Sequence, residues 1–273
     1  MQLPQIAFIG AGNMGRALIG GLTRTGADSA RIRVADPSAA QLQSVRAEFG
    51  VLTLHGNAQA AQDAEVIILA VKPQVVRDTL GELAATVKEK RPLLISVAAG
   101  VRIEAMAGWL GGHERIVRAM PNRPALLRCG VTALHANALV PAADRQLAAA
   151  ILGSVGGTVW LEREDLLDVV TAVSGSGPAY FFRLIELLEE AGRGLGLPAE
   201  VARTLSIETA YGAGCMAHQG TSDPAELRAQ VTSKGGTTEA AFKELESADL
   251  RGIVTRAVTA AARRAAELAR QSG

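Results

Sequence analysis

Two stretches of this chain put glycine next to a helix start, and both could bind an anion. One is VTSKGGTTEAAF, Val231 to Phe242. A Gly-Gly step lets successive amides turn the same way, and a helix beginning at the threonines leaves its first N–H groups without intrahelical partners. Such a place suits a carboxylate or a phosphate. The same residues would also serve an ordinary helix start capped by Thr237 or Thr238. The other stretch is Gly10, Gly12 and Gly15, spelling G-A-G-N-M-G directly after the apolar QIAFIG and ahead of RALIGGLTRTG. In that strand-to-helix context Gly10 allows the tight turn, Gly12 lets a pyrophosphate approach the backbone, and Gly15 permits close helix packing.

Further chemistry gathers behind other predicted strand ends. The second strand closes with RVADPS, placing Asp36 where an acid would meet a ribose 2′-hydroxyl, which favours NAD. Arg16, Arg31 and Arg33 lie near in sequence and suit the 2′-phosphate of NADP, and Asp36-Pro37 also suits a plain turn, so the residues leave both dinucleotides open. A third strand runs into ILAVKPQ, with Lys72 and Pro73 at the edge where open α/β sheets bind ligands. The next, LLISVAAG, ends in small residues that leave room for a flat ring. His55, His113, His135 and His218 stand apart from acidic or cysteine partners in sequence, and no metal site is expected.

Bulk composition narrows the partners. The chain has 273 residues, 48% of them hydrophobic, enough for one large or two medium cores and too apolar for a disordered chain. A formal net charge of +1 without any Lys/Arg block argues against nucleic acid or an anionic membrane and for a small molecule. Cys129 and Cys215 are far apart in sequence, as befits reduced thiols in the cytoplasm. MQLPQIAFIGAGNMG reads as a strand and a turn rather than a secretory signal, and no apolar run has the length of a membrane span.

The elements that must position these residues follow from hydrophobic period. Up to about residue 160, QIAFIG, RIRVAD, EVIILAV, PLLISVAA, RIVRAM, GVTALHA and GTVWLE alternate with helix-like segments, the rhythm of βαβ units. VIILAV is apolar on both faces, as in a parallel sheet covered on each side. After Trp160 the period becomes helical, for instance Leu250, Ile253, Val254, Ala257, Val258 and Ala261. The fold class is therefore α/β: a Rossmann-type doubly wound sheet at 1–162, then an all-helical part at 163–273. The helical apolar positions are rich in Ala, which gives little volume for a self-sufficient core and predicts burial against a second copy.

With MPNRPALL, VSGSGPAYFF and LRAQVTSKGGTTEAAFKEL in this order, nearly the whole chain resembles pyrroline-5-carboxylate reductase. The stretch L-x-x-x-V-T-S-x-G-G-T-T-x-A-A from Leu227 to Ala241 is specific to that family, and G-A-G-N-M, V-K-P-Q and S-G-S-G-P-A-Y support it. The resemblance implies an enzyme of proline synthesis that reduces a cyclic imine carboxylate with NADPH or NADH. Cofactor contacts then fall on Ile9, Gly10, Ala11, Gly12, Asn13, Met14, Asp36, Asn57, Ala70, Val71, Lys72, Pro73 and Ala98. Substrate contacts fall on Ser233, Gly236, Thr237, Thr238 and Glu164. The resemblance further implies a homodimer interlocked through C-terminal helices, up to a decamer of five dimers. Two residues depart from the family pattern: Arg123 replaces the threonine of M-P-N-T-P, and Lys234 the proline of S-P-G-G-T-T.

The implied reaction explains the opening stretch. Hydride goes to the imine carbon, a proton to nitrogen, and the carboxylate must be anchored; the Gly235 to Thr238 amides are expected to hold it, with the Thr238 hydroxyl at nitrogen as the catalytic group. A basic imine arrives protonated, so no strong acid is required, and Lys72 is the second candidate for proton donor. A β-hydroxyacid dehydrogenase would need a lysine on an inward helix, and residues 165 to 220 contain none. A dinucleotide-sensing module would account for the glycines but not for the carboxylate loop.

Overall fold

A computed structural model describes residues 3–272. The chain forms two compact units. The first comprises residues up to Gly175 together with those from Ala261 on, and the second spans Ser176–Ala260. The first alternates strands and helices: β1 (Ile6–Ile9), α1 (Asn13–Arg24), β2 (Ile32–Ala35), α2 (Ala39–Phe49), β3 (Leu52–Leu54), α3 (Asn57–Ala61), β4 (Val66–Leu69), α4 (Val76–Lys90), β5 (Leu93–Ser96), α5 (Ile103–Trp109), β6 (Ile116–Pro121), β7 (Gly130–Ala136), α6 (Ala142–Leu152), β8 (Gly156–Trp160) and α7 (Leu166–Val170).

The strands make one sheet in the order β3-β2-β1-β4-β5-β6-β7-β8. All neighbours from β3 to β6 are parallel; β7 turns antiparallel to β6, and β8 follows β7 in parallel. The chain thus winds outward one way from β1 through β2 and β3, then returns to β4 on the other side. The ends of β1 and β4 flank this switch point in strand order, where doubly wound sheets take their ligands.

Alternation along each strand feeds two cores. Ile6 and Phe8 of β1 join Leu18, Ile19 and Leu22 of α1 on one face, while Ala7 and Ile9 join Leu80 and Leu83 of α4 on the other. The Ile, Leu and Phe side chains so completely withdrawn from water contribute about 1.5–3 kcal/mol each. This double burial is why the strands read as unbroken apolar runs. Two features departed from the expected pattern. β3 was not anticipated, being three residues long with an exposed Leu52, and β7 and β8 reverse the direction of the parallel series.

The second unit is helical: α8 (Gly177–Gly194), α9 (Ala199–Gln219), α10 (Pro224–Gln230), α11 (Thr237–Ser247) and the start of α12 (Leu250–Ser272), whose later turns belong to the first unit. Pro178 stands in the first turn of α8, after a π-helical turn at Thr171–Gly175. Asp223 opens α10 with a capping box to Glu226. Close approach of α8 and α9 uses small residues: a Cβ on Gly192 would stand 3.5 Å from that of Ala202. Large apolar side chains remain uncovered, with Phe181 66% and Phe182 59% exposed. Taken alone, the unit is short of core.

Candidate active site

The residues expected to contact the dinucleotide share one edge of the sheet. Ile9 to Met14 follow β1, Asp36 follows β2, Asn57 follows β3, Ala70 to Pro73 follow β4, and Ala98 follows β5. The glycine loop is shaped by its neighbours. Gly10 has φ of +107°, donates its N–H to the Ala35 carbonyl at 2.7 Å, and has no room for a Cβ, which would lie 2.5 Å from the Ala70 carbonyl oxygen. A Cβ on Gly15 would lie 2.2 Å from the Gly10 oxygen. Around Gly12 the situation is opposite, with nothing within 4 Å of an added Cβ. The protein itself demands glycine at 10 and 15; at 12 the space is left open at the N-terminus of α1, as an approaching phosphate requires. The residues present fit a dinucleotide.

The Asp36 carboxylate is fastened beside this loop. Its Oδ2 accepts the Ala11 N–H and its Oδ1 the Ser38 N–H, both at 2.8 Å. The nearby arginines are engaged elsewhere. Arg16 donates to the Ser44 Oγ at 2.6 Å, pairs with Glu48 and lies over the Phe49 ring. Arg33 pairs with Asp63 at 3.1 Å, and Arg31 donates to the Leu3 carbonyl at 3.2 Å. The Asn57 amide donates to Glu82 at 2.8 Å, Ala98 is buried, and Lys72 is exposed just before the turn at Pro73–Val75.

Glu164 sits in an ionic cluster that sequence reading missed. Its Oε1 accepts the Ile103 N–H at 2.8 Å, at the start of α5, and an Arg118 N–H at 3.1 Å. Arg118, 3% exposed, reaches toward Asp168 at 3.7 Å, and Asp168 in turn pairs with Arg102 at 2.9 Å. An arginine inside the apolar RIVRAM strand was the available signal, because a buried charge demands a partner. Asp168 and Thr171 also line a cavity of about 110 Å³ with Pro73, Gly100 and Leu268.

In the second unit, Gly236 caps α11 and Thr237 begins it. Gly235 adopts φ of +74°, and a Cβ on Gly236 would lie 2.4 Å from the Ser233 Oγ. Two of the four amides expected to face an anion are engaged: Gly235 N–H donates to the Glu239 Oε2 at 2.8 Å and Gly236 N–H to the Ser233 carbonyl at 3.0 Å. The N–H groups of Thr237 and Thr238 have no protein partner among the described residues. The free donors therefore begin two residues later than the glycines suggested, since the loop uses its first amides to hold itself. Ser233 and Lys234 are exposed, as is Arg123 in the first unit.

Among the described residues, no cluster of three or more His, Cys, Asp or Glu could hold a metal, and no helix is long and apolar enough to cross a membrane. Cys129 and Cys215 are free. His113 is buried, its Nε2 2.9 Å from the Pro92 carbonyl, and burial pushes its pKa below the ordinary 6.5. It serves the fold.

Comparison with known proteins agrees with this geometry. Residues 164–268 match the family model for pyrroline-5-carboxylate reductase dimerisation, and residues 5–100 match that for F420-dependent NADP oxidoreductases. A curated pyrroline-5-carboxylate reductase of Pseudomonas aeruginosa is 47% identical over 273 residues, covering 100% of both chains. Among solved structures, the reductase of Coxiella burnetii superposes with a TM-score of 0.95 at 43% identity, covering 98% of this chain and 99% of that one. The Plasmodium falciparum pyrroline carboxylate reductase, solved with NADP bound, gives 0.85 at 27% identity, with coverages of 98% and 99%. A doubly wound sheet with an open Gly12, a helical unit carrying the Gly-Gly-Thr-Thr turn, and full-length likeness of this degree place the chain in the pyrroline-5-carboxylate reductase family.

Proposed function

We propose that the chain reduces 1-pyrroline-5-carboxylate to L-proline with NADPH or NADH, the last step of proline biosynthesis. One observation carries the proposal: the same chain holds an open glycine loop ahead of α1 and a Gly-Gly-Thr-Thr helix start whose Thr237 and Thr238 amides have no protein partner. Ile9 to Met14, Asp36, Asn57, Ala70 to Pro73 and Ala98 hold the dinucleotide. Ser233, Gly236, Thr237, Thr238 and Glu164 serve the substrate. When bound, the nicotinamide supplies the hydride.

The chain's own residues anchor and orient. The Thr237 and Thr238 amides bind the carboxylate where the dipole of α11 is positive. The Thr238 hydroxyl accepts a hydrogen bond from the protonated imine nitrogen and orients the ring. That proton is already in place, so hydride addition to the carbon completes the amine, and the protein needs no strong acid. Glu164, whose Oε1 is held by Arg118 and Ile103, offers negative charge to a cationic ring.

Functionally the division is 1–162 for the dinucleotide and 163–273 for substrate and dimerisation. The exposed phenylalanines of α8 support a homodimer formed through the second unit's helices. We place it in the cytoplasm, with five dimers as the larger assembly to seek by sedimentation. The direct test follows loss of nicotinamide absorbance with 1-pyrroline-5-carboxylate for wild type and Thr238→Ala. Imine-dependent oxidation by wild type is expected, with turnover about 100-fold lower in the variant. No oxidation by a folded wild type that binds dinucleotide would overturn the reaction, and unchanged turnover in Thr238→Ala would overturn that hydroxyl's role.

A further inference from the structure

We infer that Asp36 makes this chain discriminate against NADPH and prefer NADH. The inference rests on the reading that the glycine loop receives the dinucleotide's pyrophosphate, and deepens it at the adenosine ribose. β1 and β2 are in register with Ile9 opposite Ala35, so Asp36 leaves the sheet directly beside Gly10 to Gly12. There its carboxylate is tied at both oxygens, Oδ2 to the Ala11 amide and Oδ1 to the Ser38 amide. Fastened this way, it cannot swing aside to admit a phosphate without giving up two charge-assisted hydrogen bonds. Each oxygen keeps further acceptor capacity, which suits the hydroxyl of an unphosphorylated ribose.

A 2′-phosphate would need compensating cations, and every arginine near this strand has another engagement. Arg16 is neutralised by Glu48 and braced on Ser44 and Phe49. Arg33 is neutralised by Asp63. Arg31 precedes β2 and so lies at the opposite end of the strand from Asp36, about 16 Å away by strand rise. From Asp36 to Val45 the sequence carries no basic residue. The Ser38 hydroxyl oxygen accepts the Gln41 amide at the start of α2, which leaves its O–H as a neutral donor that brings no compensating charge. Besides that hydroxyl, the attraction left for a phosphate is the N-terminus of α2, worth about half a positive charge. It is outweighed by the full negative charge of Asp36 and the doubly charged phosphate.

The test is equilibrium binding without imine, reading nicotinamide fluorescence for NADH and NADPH on wild type, Asp36→Ser and Asp36→Asn. Wild type is expected to bind NADH at least about tenfold tighter, with the gap narrowing as salt is added. Both variants should shift the ratio toward NADPH by a similar factor. Equal or tighter binding of NADPH by wild type overturns the inference. So does an equal loss of both dinucleotides in the variants, which would leave Asp36 as a fastener of the loop alone. Gly12→Val separates the underlying reading: loss of both dinucleotides supports the loop as the site, whereas unaltered affinities would remove that reading and this inference with it.

Discussion

The turns at Gly10 and at Gly235 each use a left-handed glycine ahead of a helix, yet they are held in different ways. Around Gly10 the backbone is walled in by the Ala70 and Ala35 carbonyls and tied by the Asp36 carboxylate. Around Gly235 an added Cβ would meet nothing within 4 Å, α11 has no buried residue, and the loop is closed by Glu239 and the Ser233 carbonyl. Exposed hydrogen bonds of this sort contribute about 0.5–1.5 kcal/mol each. The first turn is set by packing before any ligand arrives. The second is held by local contacts that a ligand can exchange.

Substitution at the two turns should separate them most widely. Gly15→Val drives a side chain into the Gly10 carbonyl and is expected to cost about 3 kcal/mol or more in urea unfolding, whereas Gly235→Ala, strained only by its φ, costs about 1 kcal/mol. Similar losses would erase the contrast. Nearly as large, Arg118→Met leaves the Glu164 carboxylate without its cation and is expected to destabilise the first unit by about 3 kcal/mol. Trp109 and Trp160 both lie in that unit, so their fluorescence follows its unfolding alone.

Acid should act on the first unit through His113. The folded chain keeps its buried ring neutral, with a pKa below the ordinary 6.5, so the unfolded chain takes up a proton first as pH falls. The ring's contribution to stability is complete above about pH 6.5 and declines below it. Tryptophan-monitored melting should show that decline, and His113→Gln should flatten it; an equally steep decline in the variant would assign the effect to other groups. The smallest effect belongs to Glu239→Gln, which keeps an acceptor for the Gly235 amide while removing a negative charge beside the proposed carboxylate site. KM for the imine should fall by about twofold to fivefold, and a rise would show that the charge helps to hold the loop open.

What could be read from the sequence was whatever leaves a local mark. The glycines at 10 and 15 were legible because crowding by backbone admits no other residue, and the major strands because burial on both faces makes them apolar throughout. The direction of β7 left no such mark, since residue types are indifferent to which way a strand runs. β3 escaped notice because three half-exposed residues carry no period. Glu164 could be carried over by resemblance, but its tie to Arg118 joins positions 46 residues apart and is created only by folding. The Gly235 and Gly236 amides were assigned to a ligand because a Gly-Gly step advertises donors without revealing that Glu239 and the Ser233 carbonyl already accept them.

The path of α12 bears on how the protein is made. Its later turns belong to the first unit, where Ala269 is buried and its backbone lies 3.4 Å from the position a Cβ on Gly100 would take. A ribosome that has delivered everything through Gly175 has still to deliver Ala261 onward, so the sheet emerges with the ground beyond β5 bare. The nascent chain must wait for the whole helical segment to be synthesised before this edge of its dinucleotide-binding unit can be covered.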